Sequence, residues 1–162
     1  MTRNLTYRKA MLNDIPSLVS LSYQKRQFYE KAQPQFWKHA GDCAEKAQTK
    51  WFEELLTCDE HIMLTAEQNN IAVGFIIGKL VAAPGVYNPG GLTLMIDDFC
   101  VANESDWPTV GARLIDEIKL IAKEKGAAQI VVVTGAHDEP KRDFLKNYNL
   151  SIASEWHVGG IE

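Results

Sequence analysis

Apolar residues crowd the middle of the chain into three strand-like runs, IMLTAE, IAVGFIIGKLVA and LTLMIDDFCV. The first two flank Gln68–Asn69–Asn70, a hairpin signal, because asparagine tolerates the positive φ of a tight turn. Ala83–Gly91, dense in proline and glycine, predicts a loop before the third run. In front of this meander, LTYRK reads as a short strand. Ile15, Leu18, Val19, Leu21 and Ser22 then recur at helical spacing, with Asp14 as N-cap and Pro16 in the first turn. AEKAQTKWFEELLT predicts a second helix whose face carries Ala47, Trp51, Leu55 and Leu56. Behind the meander, Val110, Leu114, Ile115, Ile118, Ile121 and Ala122 form one apolar helical face, ended by Gly126 at C′. QIVVVT reads as a buried strand from its continuous β-branched run. Asp138 caps a helix over KRDFLKNY, and LSIASEWHV alternates as a last strand.

The resulting order is β α α β β β α β α β. It predicts one α/β domain over residues 1–162, with a mixed central sheet and helices on both faces.

Composition refines this picture modestly. A hydrophobic fraction of 46% and a net charge of −4 fit an ordinary globular domain and offer no basic face for nucleic acid. No apolar run approaches the ~20 residues that cross a bilayer. Cys43, Cys58 and Cys100 are odd in number and lack metal spacing, which reads as reduced thiols in a cytoplasm without a metal site. His39, His61, His137 and His157 show no metal spacing either. His137 follows QIVVVT, at a sheet end where α/β proteins bind ligands, but reads first as loop surface.

The segment VANESDWPTVGARL joins a strand to a helix, the kind of turn whose free N–H groups hold anions. It holds one glycine, Gly111. Pro108 removes a donor, Thr109 adds a hydroxyl, and Asp106 reads as a helix cap that would also repel a phosphate. Arg113, Lys141 and Arg142 would offset that repulsion if they face the cleft. Trp107 reads as packing beneath the helix. Asp97 and Asp98, adjacent on a strand, point to opposite faces unless a bulge intervenes.

Asp97–Asp98–Phe99–Cys100–Val101 resembles the E-D-hydrophobic-aromatic-V strand of the GCN5-related N-acetyltransferase family. The family's ten-residue spacing from that valine to the last glycine of its Q/R-x-x-G-x-G/A turn is kept from Val101 to Gly111. YRKAMLNDIPSLVSL is similar to the family's usual opening, and the resemblance covers about Leu5 to Val158. It implies an acetyl-CoA-dependent transfer of acetyl to a primary amine of a small molecule or protein. The alternative is a non-catalytic member binding an acyl-CoA or a protein partner. Phe99, Cys100, Val101, Thr109, Val110, Gly111, Ala112, Arg113 and Asp138 are the implied cofactor-binding positions. Asp97 or Asp98 is the implied base. The family's thiolate-protonating tyrosine falls at Leu145, with Tyr148 three residues on as the substitute. Tyr29, Phe36, Trp37 and Tyr87 fall in segments lining the family's acceptor pocket. The resemblance also implies a homodimer and no membrane partner. Acetyl transfer itself requires a donor for the thioester carbonyl, commonly a backbone N–H where two strands splay, and a proton for the thiolate.

Overall fold

The computed structural model describes residues 5–161. One sheet runs in the order β1 (Leu5–Lys9), β2 (His61–Gln68), β3 (Ile71–Val81), β4 (Leu92–Val101) and β5 (Ala127–Val132). Neighbours are antiparallel except β4 and β5, which are parallel. The β2–β3 hairpin turns on Asn69 and Asn70, whose φ values of 53° and 65° are the two positive angles a type I′ turn demands. The helices are α1 (Ile15–Ala32), α2 (Pro34–Trp37), α3 (Ala44–Leu56), α4 (Ala112–Glu124) and α5 (Glu139–Asn147).

Apolar side chains divide by strand parity between the two faces. Leu18 and Val19 of α1 and Phe52 and Leu55 of α3 pack on Met63, Phe75, Ile77 and Cys100. Leu114, Ile115 and Ile118 of α4, with Phe144 of α5, pack on Leu64, Ile76, Leu94 and Ile96. The mixed sheet with helices on both faces is therefore present as expected.

Four local expectations are corrected. Asp14 does not cap α1; its carboxylate accepts from the Met11 N–H at 2.7 Å and pairs with Arg8. In α3 the buried face is Gln48, Phe52 and Leu55, while Ala47 and Trp51 are exposed. That rotation is allowed because the Gln48 amide donates to the Ser22 hydroxyl at 2.6 Å, which satisfies the polar group inside. QIVVVT is not a buried strand but half-exposed β5, at the sheet edge. The last strand does not form. Residues 151–161 have no regular structure and every one is exposed, so the alternation of Ile152, Trp156 and Val158 buries nothing. A strand without a paired neighbour has no ladder to hold it.

Candidate functional site

β4 changes character halfway along. From Thr93 to Ile96 it pairs with β3 on one side and β5 on the other. The last contact with the β5 side is the Val133 N–H to the Ile96 carbonyl at 2.9 Å. Beyond it β4 continues to Val101, paired only with β3. Ala102 donates to Val73 on the β3 side, so by alternation the backbone groups of Phe99 and Val101 face the widening gap.

A bulge sits at the same point. Gly78 pairs with Ile96 and Ile77 with Asp98, so Asp97 is the extra residue. Leu94 and Ile96 precede the bulge on the α4 side, and Phe99 follows it on that side. Asp97 and Asp98 consequently share the opposite face. Both border a shallow cleft with Trp51 and Leu55 of α3 and with His61 and Met95. Adjacent strand residues would otherwise have diverged, and the bulge is what places both carboxylates on the α1–α3 side.

Their states differ. Asp97 is exposed. Asp98 is buried and accepts from Lys25 Nζ of α1 at 2.5 Å, with Arg26 at 4.0 Å. Burial alone would lower the Lys25 pKa, but the Asp98 carboxylate outweighs it and holds the ammonium above its ordinary value. Cys100, on the same face, is buried, and burial pushes its thiol up to about 12. It is an inert core thiol.

The other wall of the gap comes from the start of α5. Asp138 caps that helix, accepting from the Lys141 N–H at 3.3 Å, and also accepts from the Tyr29 hydroxyl at 2.7 Å. The Gly135 N–H donates to the same tyrosine oxygen at 3.2 Å. Burial, with the neighbouring Asp138 charge, raises the Tyr29 phenol above its ordinary value. Tyr29 also stacks edge-on with Trp37 and His137. Phe36, next to Trp37, faces Trp156, whereas Tyr87 is an exposed loop residue.

Sequence reasoning missed the role of Lys141. It is 1% exposed, and its ammonium donates to the Phe99 carbonyl at 3.0 Å and the Val133 carbonyl at 3.1 Å. It therefore bridges β4 and the segment after β5 inside the gap, instead of offsetting Asp106. Its spacing carried the signal: Lys141 lies three and four residues before Phe144 and Leu145, on the buried face of α5. Burial, then repulsion from Lys25, lowers its ammonium to about 7.

The loop after β4 is wound up rather than open. Residues Glu104–Asp106 form a 3-10 turn and Trp107–Gly111 a π-helical turn that runs directly into α4. Asp106 makes no side-chain cap; its carboxylate accepts from the Asn103 amide at 3.0 Å. The Thr109 hydroxyl lies 3.3 Å from the Asp106 carbonyl. Trp107 is buried, stacked on Phe144 at 5.3 Å and edge-on to Phe99 at 4.9 Å. A Cβ on Gly111 would lie 2.7 Å from the Trp107 ring, so that glycine is required by packing. Val110 is buried, Ala112 half-buried, and Thr109 and Arg113 exposed, with Arg113 paired to Glu117 at 2.6 Å. Arg142 turns back to the Ala136 carbonyl.

Tyr148 is not brought to this gap. It packs against the α4-side core, and its hydroxyl bonds Asp116 of α4, on the opposite side of the sheet from Asp97 and Asp98. Burial and that carboxylate raise its phenol above the ordinary value. Among the described residues no helix is long and apolar enough to cross a membrane, and no cluster of three metal-type ligands occurs.

No protein-family model and no curated protein matches the sequence. Solved structures do match over nearly the full chain. A predicted acetyltransferase with acetyl-CoA from Clostridium acetobutylicum is 24% identical, with 96% of each chain covered and a TM-score of 0.72. An aminoglycoside N-acetyltransferase, AAC(6')-Iy, in complex with CoA is 12% identical, covering 99% of this chain and 97% of that one, with a TM-score of 0.75. The aminoglycoside antibiotic 6'-N-acetyltransferase AAC(6')-Ih from Acinetobacter baumannii is 8% identical, with 98% and 99% covered and a TM-score of 0.73. The chain has the mixed α/β fold of these acetyltransferases.

Proposed function

We propose that this protein is an acetyl-CoA-dependent N-acetyltransferase that moves an acetyl group to a primary amine of a small molecule or protein. The observation that carries the reading is the second half of β4. There a free strand edge, Phe99 to Val101, opens beside a bulged carboxylate pair. A free edge offers backbone groups to an extended amide-bearing arm and an N–H to a thioester carbonyl. A carboxylate nearby attracts a cationic amine and takes its proton.

The two aspartates divide the work. Asp98 is engaged by Lys25 and holds that ammonium in place. Asp97, exposed on the same face, is the base, acting directly or through water. On the cofactor side, Thr109 and Arg113 are the exposed members of the turn able to meet a diphosphate, while Val110 and Gly111 hold the turn to the core. Cys100 and Asp138 shape the gap from behind. Small-molecule acceptors are supported by the aminoglycoside acetyltransferases among the similar structures. The unpaired cysteines support a reducing compartment such as the cytoplasm. The uncovered edge of β5 supports a homodimer, which light scattering would detect.

Calorimetric titration with acetyl-CoA, CoA and ATP tests the cofactor, and thioester loss across a panel of amines tests the reaction. Acetyl-CoA is expected to bind and ATP not; silence with acetyl-CoA at millimolar concentration would sink the reading. Asp97→Asn should lower the transfer rate about 100-fold with little change in acetyl-CoA affinity. A second reading, binding without turnover, is favoured by Tyr148, whose hydroxyl is bonded to Asp116 of α4 and is not turned to the gap. Tight binding with no thioester loss to any amine would select it.

A further inference from the structure

The ammonium of Lys141 is the buried charge that the mechanism has not used. It carries three donor hydrogens. Two go to the Phe99 and Val133 carbonyls, and the third has no acceptor among the described residues. The aromatic faces of Phe99 and Trp107 lie 5.4 Å and 5.7 Å from the nitrogen. A fully buried donor with one N–H hydrogen left unpaired, set between two diverging strands, lacks an oxygen or sulfur partner.

Acetyl transfer supplies such a partner. When the tetrahedral intermediate collapses, the carbon–sulfur bond breaks and its electron pair leaves with sulfur as a thiolate. We propose that Lys141 is the general acid that protonates the departing CoA thiolate; this role rests on the acetyltransferase reading above. The acceptor amine adds to the thioester carbonyl carbon and gives its proton to Asp97. Sulfur takes one proton from the Lys141 ammonium. The neutral lysine then recovers a proton from solvent, which also receives the one held by Asp97. One amine proton is replaced by acetyl, one thiol is formed, and nothing is oxidised or reduced.

Competing donors are engaged or lie elsewhere. The Tyr29 hydroxyl, on the gap wall, donates to Asp138 at 2.7 Å. The Tyr148 hydroxyl is bonded to Asp116 of α4. Lys25 is neutralised by Asp98 and held in its charged form. The groups acting on Lys141 come from three elements: Lys25 from α1, Asp98 and Cys100 from β4, and Asp138 from its own helix. Burial and Lys25 outweigh the three acidic groups, leaving the ammonium at about 7. It is then a stronger acid than an ordinary thiol at ~8.5, so transfer to the thiolate runs downhill. The sign for the rate follows: the acid is present below pH 7 and is lost as pH rises through that value.

The test compares wild type, Lys141→Met and Lys141→Arg with two acetyl donors. Acetyl-CoA releases a basic alkyl thiolate, whereas S-acetyl-4-nitrothiophenol releases a thiolate that needs no proton. Arginine keeps the charge and has donors for both carbonyls but stays protonated at neutral pH, so it separates acid catalysis from loss of the buried charge. Both variants should lose about 100-fold in kcat on acetyl-CoA and keep kcat/KM on the aryl thioester within about threefold. The wild-type kcat profile should fall above pH 7, and Lys141→Arg should abolish that limb. Equal losses on both donors, or a falling limb that survives in Lys141→Arg, would overturn the role of Lys141 and leave the acetyltransferase reading standing. A wild type that transfers no acetyl from acetyl-CoA at any pH would overturn both.

Discussion

The two halves of β4 are built for different purposes. Thr93–Ile96 is paired on both edges, and Leu94 and Ile96 sit at 1% and 0% exposure in the α4-side core. Asp97–Val101 has one free edge, a bulge, a buried ion pair and a lysine in place of a neighbouring strand. Ordinary packing cannot tolerate that much buried charge. It persists because each charge has a partner: Lys25 for Asp98, two carbonyls for Lys141, and Tyr29 with the α5 N-terminus for Asp138. The first half sets where the gap begins, and the second half furnishes it.

Substitutions in the two halves should therefore differ in kind. The largest effect is expected for Asp98→Ala, which leaves the half-buried Lys25 ammonium without its partner and should cost about 3–5 kcal/mol of stability. Urea denaturation would measure it. A loss under 1 kcal/mol would mean that Lys25 reaches water freely. Ile96→Ala should cost a similar but slightly smaller ~2–5 kcal/mol through the cavity it leaves. The contrast lies in the chemistry, because its transfer rate per folded molecule should stay near wild type while that of Asp98→Ala should fall. If both variants lose rate equally, the division of β4 is wrong.

Smaller effects probe the loop and the far face. Asp106→Arg removes an anion beside the turn and should tighten acetyl-CoA several-fold, about 1 kcal/mol for exposed charges 5–6 Å apart in high dielectric. Unchanged or weaker affinity by calorimetry would show that the diphosphate does not sit there. Tyr148→Phe removes only the hydroxyl bond to Asp116, worth about 1 kcal/mol or less, and should leave kcat intact. A large loss of kcat would return the thiolate acid to Tyr148 and take it from Lys141.

Much of this was readable in the chain. The meander, the α4 face, the Asn69–Asn70 turn and the Asp138 cap each follow from a local signal that tertiary packing did not override. The last strand was misread because alternation in LSIASEWHV says how a strand would be used, not that a neighbour exists to pair with it. Trp51 was misread because an amide–hydroxyl pair, Gln48 with Ser22, let a polar residue take the buried position. In the site, the carboxylate pair was found from sequence, but its shared face depends on a register slip between Ile77 and Gly78 that no local pattern announces. Lys141 was noticed as a charge; its spacing to Phe144 and Leu145 carried its burial, but its partners, two backbone carbonyls, leave no side-chain signature of the bridge it makes.

The central claim is that acetyl-CoA lies along the free edge of β4. An NMR titration of the backbone amides with acetyl-CoA tests it most directly. The account predicts the largest shifts at Asp97–Val101 and across Val133–Asp138, the two sides of the gap. No shifts at millimolar acetyl-CoA, or shifts confined to residues outside those two segments, would contradict it.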